Sequence, residues 1–279
     1  MNKLIIDSPE QTSNESDLNR IALGVEYNGS QFNGYQLQQT GTRTVQEEIE
    51  RAVSMVADET IRVTCAGRTD AGVHATGQVV HFDTCAKRLL KAWVMGVNSY
   101  LPKDICIHWA REVSADFNAR FSAVSRSYRY VLFTRRVRSA ILESNVSWCY
   151  ADLDVSKMHE AAQLLLGDND FSAFRAAQCQ AKHPNRVMKS IQVKQAGAYV
   201  IMDIHANAFL HHMVRNIMGS LLVVGRGEQP VEWMGEVLRS RDRCQAGMTA
   251  PPAGLYLVNV EYPQVFGLPA STGWLPDFG

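Results

Sequence analysis

Two apolar rhythms, laid down in a similar order twice, constrain this chain more than any other feature. Ile21, Leu23, Val25 and Tyr27 alternate, the period of a strand with one buried face. Thr44 followed by Glu47 then makes a capping box, and Val45, Ile49, Val53 and Val56 recur at helical spacing. Strand-like runs over 61–66 and 78–83, a helix over 89–100 and a strand over 105–113 complete the first unit. The second half reads as a strand over 127–134, a helix over 155–166 stopped by Gly167, and hairpin strands over 191–195 and 199–205. Helices over 207–224 and 232–239 and a last strand over 255–262 follow. Strands and helices mixed in this way within each half predict an α+β chain with largely antiparallel sheets.

Charge and cysteine usage narrow the partners. Lysine plus arginine (28) equals aspartate plus glutamate (28), which excludes a uniformly basic nucleic-acid coat but not a segregated basic face. The six cysteines (Cys65, Cys85, Cys106, Cys149, Cys179, Cys244) form no C-x-x-C pair, so they read as buried, reduced residues rather than zinc ligands. Residues 1–18 are polar and acidic and read as a mobile leader. The apolar run Leu4-Ile5-Ile6 is too short for a signal peptide. The longest apolar stretch, around 217–225, falls short of the roughly 20 residues a spanning helix needs. The expectation is a cytoplasmic protein with no membrane contact. No P-loop, nucleophile elbow or dinucleotide fingerprint is present, and His159-Glu160 lacks the second histidine of a zinc-protease motif, where Gln163 stands.

Three segments carry the residue types that chemistry needs. Gly67-Arg68-Thr69-Asp70-Ala71-Gly72-Val73-His74 is a loop between strands whose glycines permit close backbone approach. Spacing alone leaves Asp70 either a turn residue that caps nearby amides or a reactive carboxylate. His74 and His81 read as structural polar residues. Phe117 to Arg138 holds six arginines (120, 126, 129, 135, 136, 138), no acid and no lysine, interleaved with Phe117, Phe121, Tyr128, Tyr130 and Phe133. Guanidinium groups for phosphates and rings for unpaired bases suit RNA, and the plainer alternative is a solvated strand with a basic loop. In Asn207 through Asn216, Arg215 lies off the apolar stripe of the helix expected there. It is either a surface residue or the partner of a carboxylate such as Asp70. His211 and His212 are weaker candidates, because adjacency makes joint chelation awkward.

These three strings together resemble the bacterial tRNA pseudouridine synthase A family. The likeness runs from Glu26-Tyr27-Asn28-Gly29-Ser30 to Gly254-Leu255-Tyr256-Leu257, roughly residues 19–263. It implies isomerisation of uridine to pseudouridine at positions 38, 39 and 40 of the tRNA anticodon arm, by base flipping, in a homodimer with no cofactor or metal. It implies two RRM-like (ferredoxin-like) domains sharing a continuous central sheet. These would be residues 19–114, completed by the strand over 255–262, and residues 115–250, with an irregular tail over 263–279. The catalytic aspartate of the family falls on Asp70, its carboxylate-pairing arginine on Arg215, and the tyrosine that packs on the target base on Tyr128. Arg68 takes the tRNA-contacting position two before the aspartate. Further tRNA-contact positions fall on Phe117, Asn118, Ala119, Arg120, Phe121, Gln178, Cys179, Gln180, Ala181, Lys182, Arg88 and Arg136. Asn28 and Tyr35 stand where the family usually has an acid and a tryptophan, and Lys182 where many members have arginine. Two rivals are a noncatalytic RNA-binding module, with Asp70 a turn residue, and a nucleosidase. The latter ordinarily needs two carboxylates ~5–10 Å apart, whereas the loop offers one.

Overall fold

A computed structural model describes residues 18–38 and 41–269. The leader over 1–17 and the last ten residues of the tail lie outside the described residues. In chain order the elements are β1 (Asn19–Tyr27), α1 (Val45–Ala57), β2 (Thr64–Cys65), β3 (His74–Thr84), α2 (Leu90–Tyr100), β4 (Ile105–Val113) and β5 (Ser125–Thr134). They continue with β6 (Ser147–Cys149), α3 (Val155–Gln163), β7 (Gly167–Asp170), β8 (Asn185–Ala196), β9 (Tyr199–Ala206), α4 (Met213–Gly225), α5 (Trp233–Ser240) and β10 (Leu255–Glu261). The described part of the tail holds a short 3-10 turn at Gln264–Phe266.

All ten strands join one sheet in the order β4-β1-β3-β10-β5-β9-β8-β7, with β2 paired to β3 and β6 to β5. Pairing is antiparallel except for β10 with β3 and β5 with β6. The α+β expectation of a continuous, largely antiparallel sheet is met. The last strand is the seam. It pairs with β5 from Leu255 opposite Tyr130 to Glu261 opposite Ser125, but with β3 only at Tyr256–His74 and Leu257–Ala75. Two apolar cores flank it. One gathers β1, β3, α1 and α2, and the other β5, β8, β9 and helices α3 to α5. Leu255 is buried in the second core and Leu257 in the first, so neighbouring positions of one strand tie the two together.

Three expectations change. β1 is buried on both faces over Ile21–Val25, because it lies between β3 and β4 and its small residues admit a cover: Trp109 lies directly over Gly24. The strand expected over 61–66 shrinks to Thr64–Cys65, since α1 side chains take the amides a neighbouring strand would need. Ser54 Oγ accepts the Ile61 N–H (2.9 Å) and Glu50 Oε1 accepts the Val63 N–H (3.1 Å). The cysteines are all free, but only Cys65 and Cys149 are buried, while Cys85, Cys106 and Cys244 are exposed. Cys106 stands on the outward face of edge strand β4, and nothing obliges the unpaired thiols of Cys85 and Cys244, outside the strands and α-helices, to face inward.

The structural reading of His74 and His81 agrees with the bonds they make. His74 Nδ1 accepts the Gly29 N–H (3.0 Å), Nε2 meets the Ala253 carbonyl (3.1 Å), and the ring stacks on Tyr256. His81 Nδ1 accepts the Ala119 N–H (3.1 Å). Burial lowers the pKa of both, as expected for imidazoles used as neutral bridges. Because Leu257 has no exposed surface, Leu257→Ala should cost about 2–5 kcal/mol, read as a lower urea midpoint with an unchanged slope.

Candidate active site

The loop between β2 and β3 is pinned from both ends. The Ala66 N–H donates to Val79 O (2.8 Å), the Gln78 amide donates to Gly67 O (2.7 Å), and the Tyr35 N–H donates to Thr69 O (3.0 Å). Below it the Tyr27 hydroxyl meets Thr69 Oγ1 at 2.8 Å in a buried contact. The Val73 N–H closes a turn onto Asp70 O (3.1 Å), and the third position of that turn is Gly72 at φ +79°, a conformation that excludes most side chains. Gly34, at φ +89°, backs the loop so closely that a Cβ there would lie 3.0 Å from Thr69 O. Both glycines act on one outcome: the Asp70 side chain is aimed across the seam.

What it meets comes from the far half of the chain. Arg215 Nη1 donates to Asp70 Oδ2 at 3.1 Å, while its Nε is anchored on Ala250 O at 2.8 Å. His211 Nε2 lies 3.2 Å from Oδ1 and His212 Nε2 3.2 Å from Oδ2. The two histidines sit together because the helix expected from Asn207 begins instead at Met213. Asn207 Oδ1 accepts the Val187 and Ala208 N–H groups, an arrangement that diverts the chain from helix. His212 then adopts a left-handed conformation at φ 60°. On a helix, neighbouring rings would diverge by about 100°; here their centroids are 4.0 Å apart. The weak standing of this pair on adjacency alone is therefore corrected. Asp70, His211 and His212 are also the group of potential metal ligands found among the described residues, with donor atoms within 4.8 Å of one another. A guanidinium on the same carboxylate opposes a cation there.

The carboxylate opens into a cleft of about 910 Å³ lined by Arg68, Arg120, Arg126, Arg186 and Arg215, with Asp70 its sole acidic lining residue among those described. Tyr128, Phe121, Gln178, Cys179, Gln180 and Ala181 line it too. Tyr128 packs against both cores and edge-on against Phe209, with centroids 4.9 Å apart. Burial pushes its phenol up to about 12, against the pull of Arg126 and with a small push from Asp70. At neutral pH that phenol is therefore protonated. At the rim, Phe121 is 78% exposed with the Arg120 guanidinium 5.4 Å from its ring. Cys179 accepts the His211 N–H on sulfur (3.4 Å), and its thiol pKa is lowered by the amides of Ala181 and His211 and by Arg175, against desolvation.

Other expected contact residues fall elsewhere. Phe117 and Ala119 have no exposed side chain: Phe117 packs on His81, Tyr262 and Phe266, so neither side chain presents a surface to RNA. Asn118 folds its own turn, accepting the Arg120 and Phe121 N–H groups. Arg88 donates to Val56 O; it, exposed Arg136 and exposed Lys182 lie outside the cleft lining. The arginine strip is less free than its sequence suggests. Arg129 pairs with Asp203 through two bonds (2.6 and 2.9 Å), and Arg138 lies 3.5 Å from Glu143, so the compensating acids arrive from other parts of the chain. Arg126 donates to the carbonyls of Ala66, Arg120, Ala123 and Asn207, stapling three loops of the site together. Arg186 enters the cleft unannounced, its sequence neighbourhood being an ordinary strand start.

Comparison with known proteins now bears on the same residues. The family model described as tRNA pseudouridine synthase matches residues 24–122 and 161–263. The chain belongs to the tRNA pseudouridine synthase family. It is 57% identical over 250 residues to the tRNA pseudouridine synthase A of Shewanella amazonensis, covering 90% of this chain and 95% of that one. The enzyme of the same name from Pseudomonas aeruginosa is 55% identical over 252 residues, 90% and 88% of the two chains, and that from Alcanivorax borkumensis 53% over 263, 93% and 98%. In this family member no described helix is long and apolar enough to cross a membrane.

In a phenol difference titration, Tyr128→Phe and the parent protein should superimpose up to about pH 10.5 and diverge only above it, because the lost phenol is among those that burial makes late to ionise.

Proposed function

We propose that this chain converts uridines 38, 39 and 40 in the anticodon arm of tRNA to pseudouridine, with Asp70 acting at the ribose of a flipped nucleotide. As a member of its family the chain is an isomerase of tRNA uridine. The observation that carries the residue-level reading is one carboxylate, held by Arg215, inside a cleft whose lining includes five arginines and several aromatic rings but no other acid among the described residues.

The reaction breaks the N1–C1′ bond, turns the uracil and joins C5 to C1′; the proton leaves C5 and one is gained at N1. Reactant and product are isomers, so the atoms balance without a co-reactant. A carboxylate beside C1′ serves either as the nucleophile there or as the base that removes the C2′ proton, and one group suffices for either. Extruding the base costs a few kcal/mol, which stacking on Tyr128 offsets. Arg68 and Arg120, on the exposed side of the cleft, supply charge for phosphates next to the flipped nucleotide. Three adjacent target positions fit recognition of arm shape rather than base identity.

Residues 19–114 with β10, and 115–250, form the two RRM-like units of this reading, and a homodimer in the cytoplasm is its cellular setting. Those assignments come from the family resemblance. The seam at β10 and the two cores beside it support the division into units.

Asp70→Asn should abolish tritium release from C5-labelled tRNA while filter binding of that tRNA persists within about threefold, since the phosphate contacts lie on other residues. Substantial release by this variant removes Asp70 from the chemistry, and free uracil among the products favours a nucleosidase. Arg120→Ala should weaken binding and reduce the slope of log K against log salt by about one.

A further inference from the structure

We propose that Arg186 binds a phosphodiester flanking the target uridine, as a guanidinium that the fold fixes in the cleft wall and leaves without an anion of its own. This rests on the reading of the cleft as the seat of tRNA and adds a residue outside the contact set expected from the family. The five arginines of the lining meet different fates. Arg215 is taken by Asp70, and Arg126 by four carbonyl oxygens. Arg68 and Arg120 are exposed. Arg186 is half-buried, held in place and not neutralised. Its Nη1 donates to His183 O at 2.8 Å and to Asn185 O at 2.6 Å, two carbonyls of its own segment that carry dipoles but no net charge. Its Nε is buried without a partner, and Nη2, which is not buried, bonds to nothing among the described residues.

Strand pairing explains why no acid reaches it. Arg186 stands opposite Asn169 of β7, while Asp168 and Asp170 face Val187 and Asn185, one position to either side. Side chains alternate across a strand, so both acids project from the other face of the sheet. Asp170 is also engaged by Arg241 at 3.3 Å. The charges nearest Arg186 are like its own. Burial lowers its pKa, the Cys179 thiol pulls the other way, and Arg175 and Arg126 reinforce the burial. Arg175 is itself held on the carbonyls of Cys179 (2.6 Å) and Ala181 (2.9 Å), so neither neighbouring guanidinium brings an anion with it. A cation partly removed from water, pushed by two others and given no counter-ion is costly in the free protein, and a ligand that brings negative charge relieves that cost. The free Nη2 offers a phosphate oxygen a charge-assisted hydrogen bond from a group already fixed in place. Its position selects which phosphate. The next residue, Val187, exchanges two bonds with Asn207: its N–H donates to Asn207 Oδ1 (3.0 Å) and its carbonyl accepts the Asn207 N–H (3.2 Å). Two residues on from Asn207, Phe209 meets the ring of Tyr128. Arg186 is thus built into the same wall as the ring on which the extruded base stacks, and the phosphate it takes is one beside the flipped nucleotide.

The test is filter binding of an anticodon-arm RNA with a single target uridine, and of the same RNA with one phosphate at a time replaced by a methylphosphonate. The sugar 5′ to each replacement is 2′-O-methylated, and control RNAs carry that methyl group alone. Arg186→Gln, which keeps a donor for the local carbonyls, should weaken binding of the unmodified RNA about tenfold, reduce the salt slope by about one and leave the urea midpoint in place. Arg186→Lys should keep the slope and recover only part of the affinity, since an ammonium restores the charge but not the fork. In the parent protein, a methylphosphonate at one of the two phosphates flanking the uridine should cost about as much as Arg186→Gln does. That replacement should cost Arg186→Gln nothing further, whereas its effect should add to that of Arg120→Ala. Parent-like binding by Arg186→Gln overturns the proposal, as do losses that add at both flanking phosphates. A parent protein indifferent to both flanking methylphosphonates overturns it with no variant needed. None of these readouts involves turnover, so activity in Asp70→Asn would defeat the catalytic reading and leave this one standing, while a parent protein that fails to bind the arm at all defeats both.

Discussion

The hydrogen-bonded ion pair between Asp70 and Arg215 is the constraint on which the rest of the structure depends. Its partners stand 145 residues apart in the chain and on elements that belong to different cores. Bringing them to 3.1 Å requires the loop after β2 to turn at Gly72, and α4 to begin at Met213 rather than six residues earlier. It also requires β10 to hold the two halves in register. Arg126 adds a further tie between the loops. Four carbonyl oxygens converge on its guanidinium, which spends its hydrogen-bonding capacity inside the protein.

Charge is distributed to the same end. A chain with equal numbers of acidic and basic residues surrounds one carboxylate with arginines and sets acids elsewhere against guanidiniums outside the cleft, as Asp203 does for Arg129 and Asp83 for Arg20. The result is a local positive field with no cost in overall charge, suited to a polyanion whose approach is steered over about a Debye length.

Much of the fold was legible in the sequence because periodicity reports which face is buried. The capping Thr44, whose hydroxyl accepts the Glu47 N–H, and the apolar stripe of α1 are read directly from spacing. So is the general order of strands and helices. What failed are the features decided by partners distant in sequence. Val63 has the composition of a strand, but Glu50 claims its amide. Arg129 looks unpaired until Asp203 arrives on the neighbouring strand. Phe117 carries the ring expected of an RNA contact and Ala119 takes a contact position only by family resemblance, and the packing of Phe266 and Tyr262 puts both inside. The histidine pair was hidden for a different reason: its convergence depends on a single left-handed residue, and nothing in local composition at His211-His212 signals one.

Seam strand β10 lies almost at the end of the described chain, yet it is central in the sheet, between β3 and β5. On a ribosome, chain grows from its N-terminus, so both cores can condense before the strand that joins them has emerged. Asp70 and Arg215 are consequently brought into line only after that strand has been made.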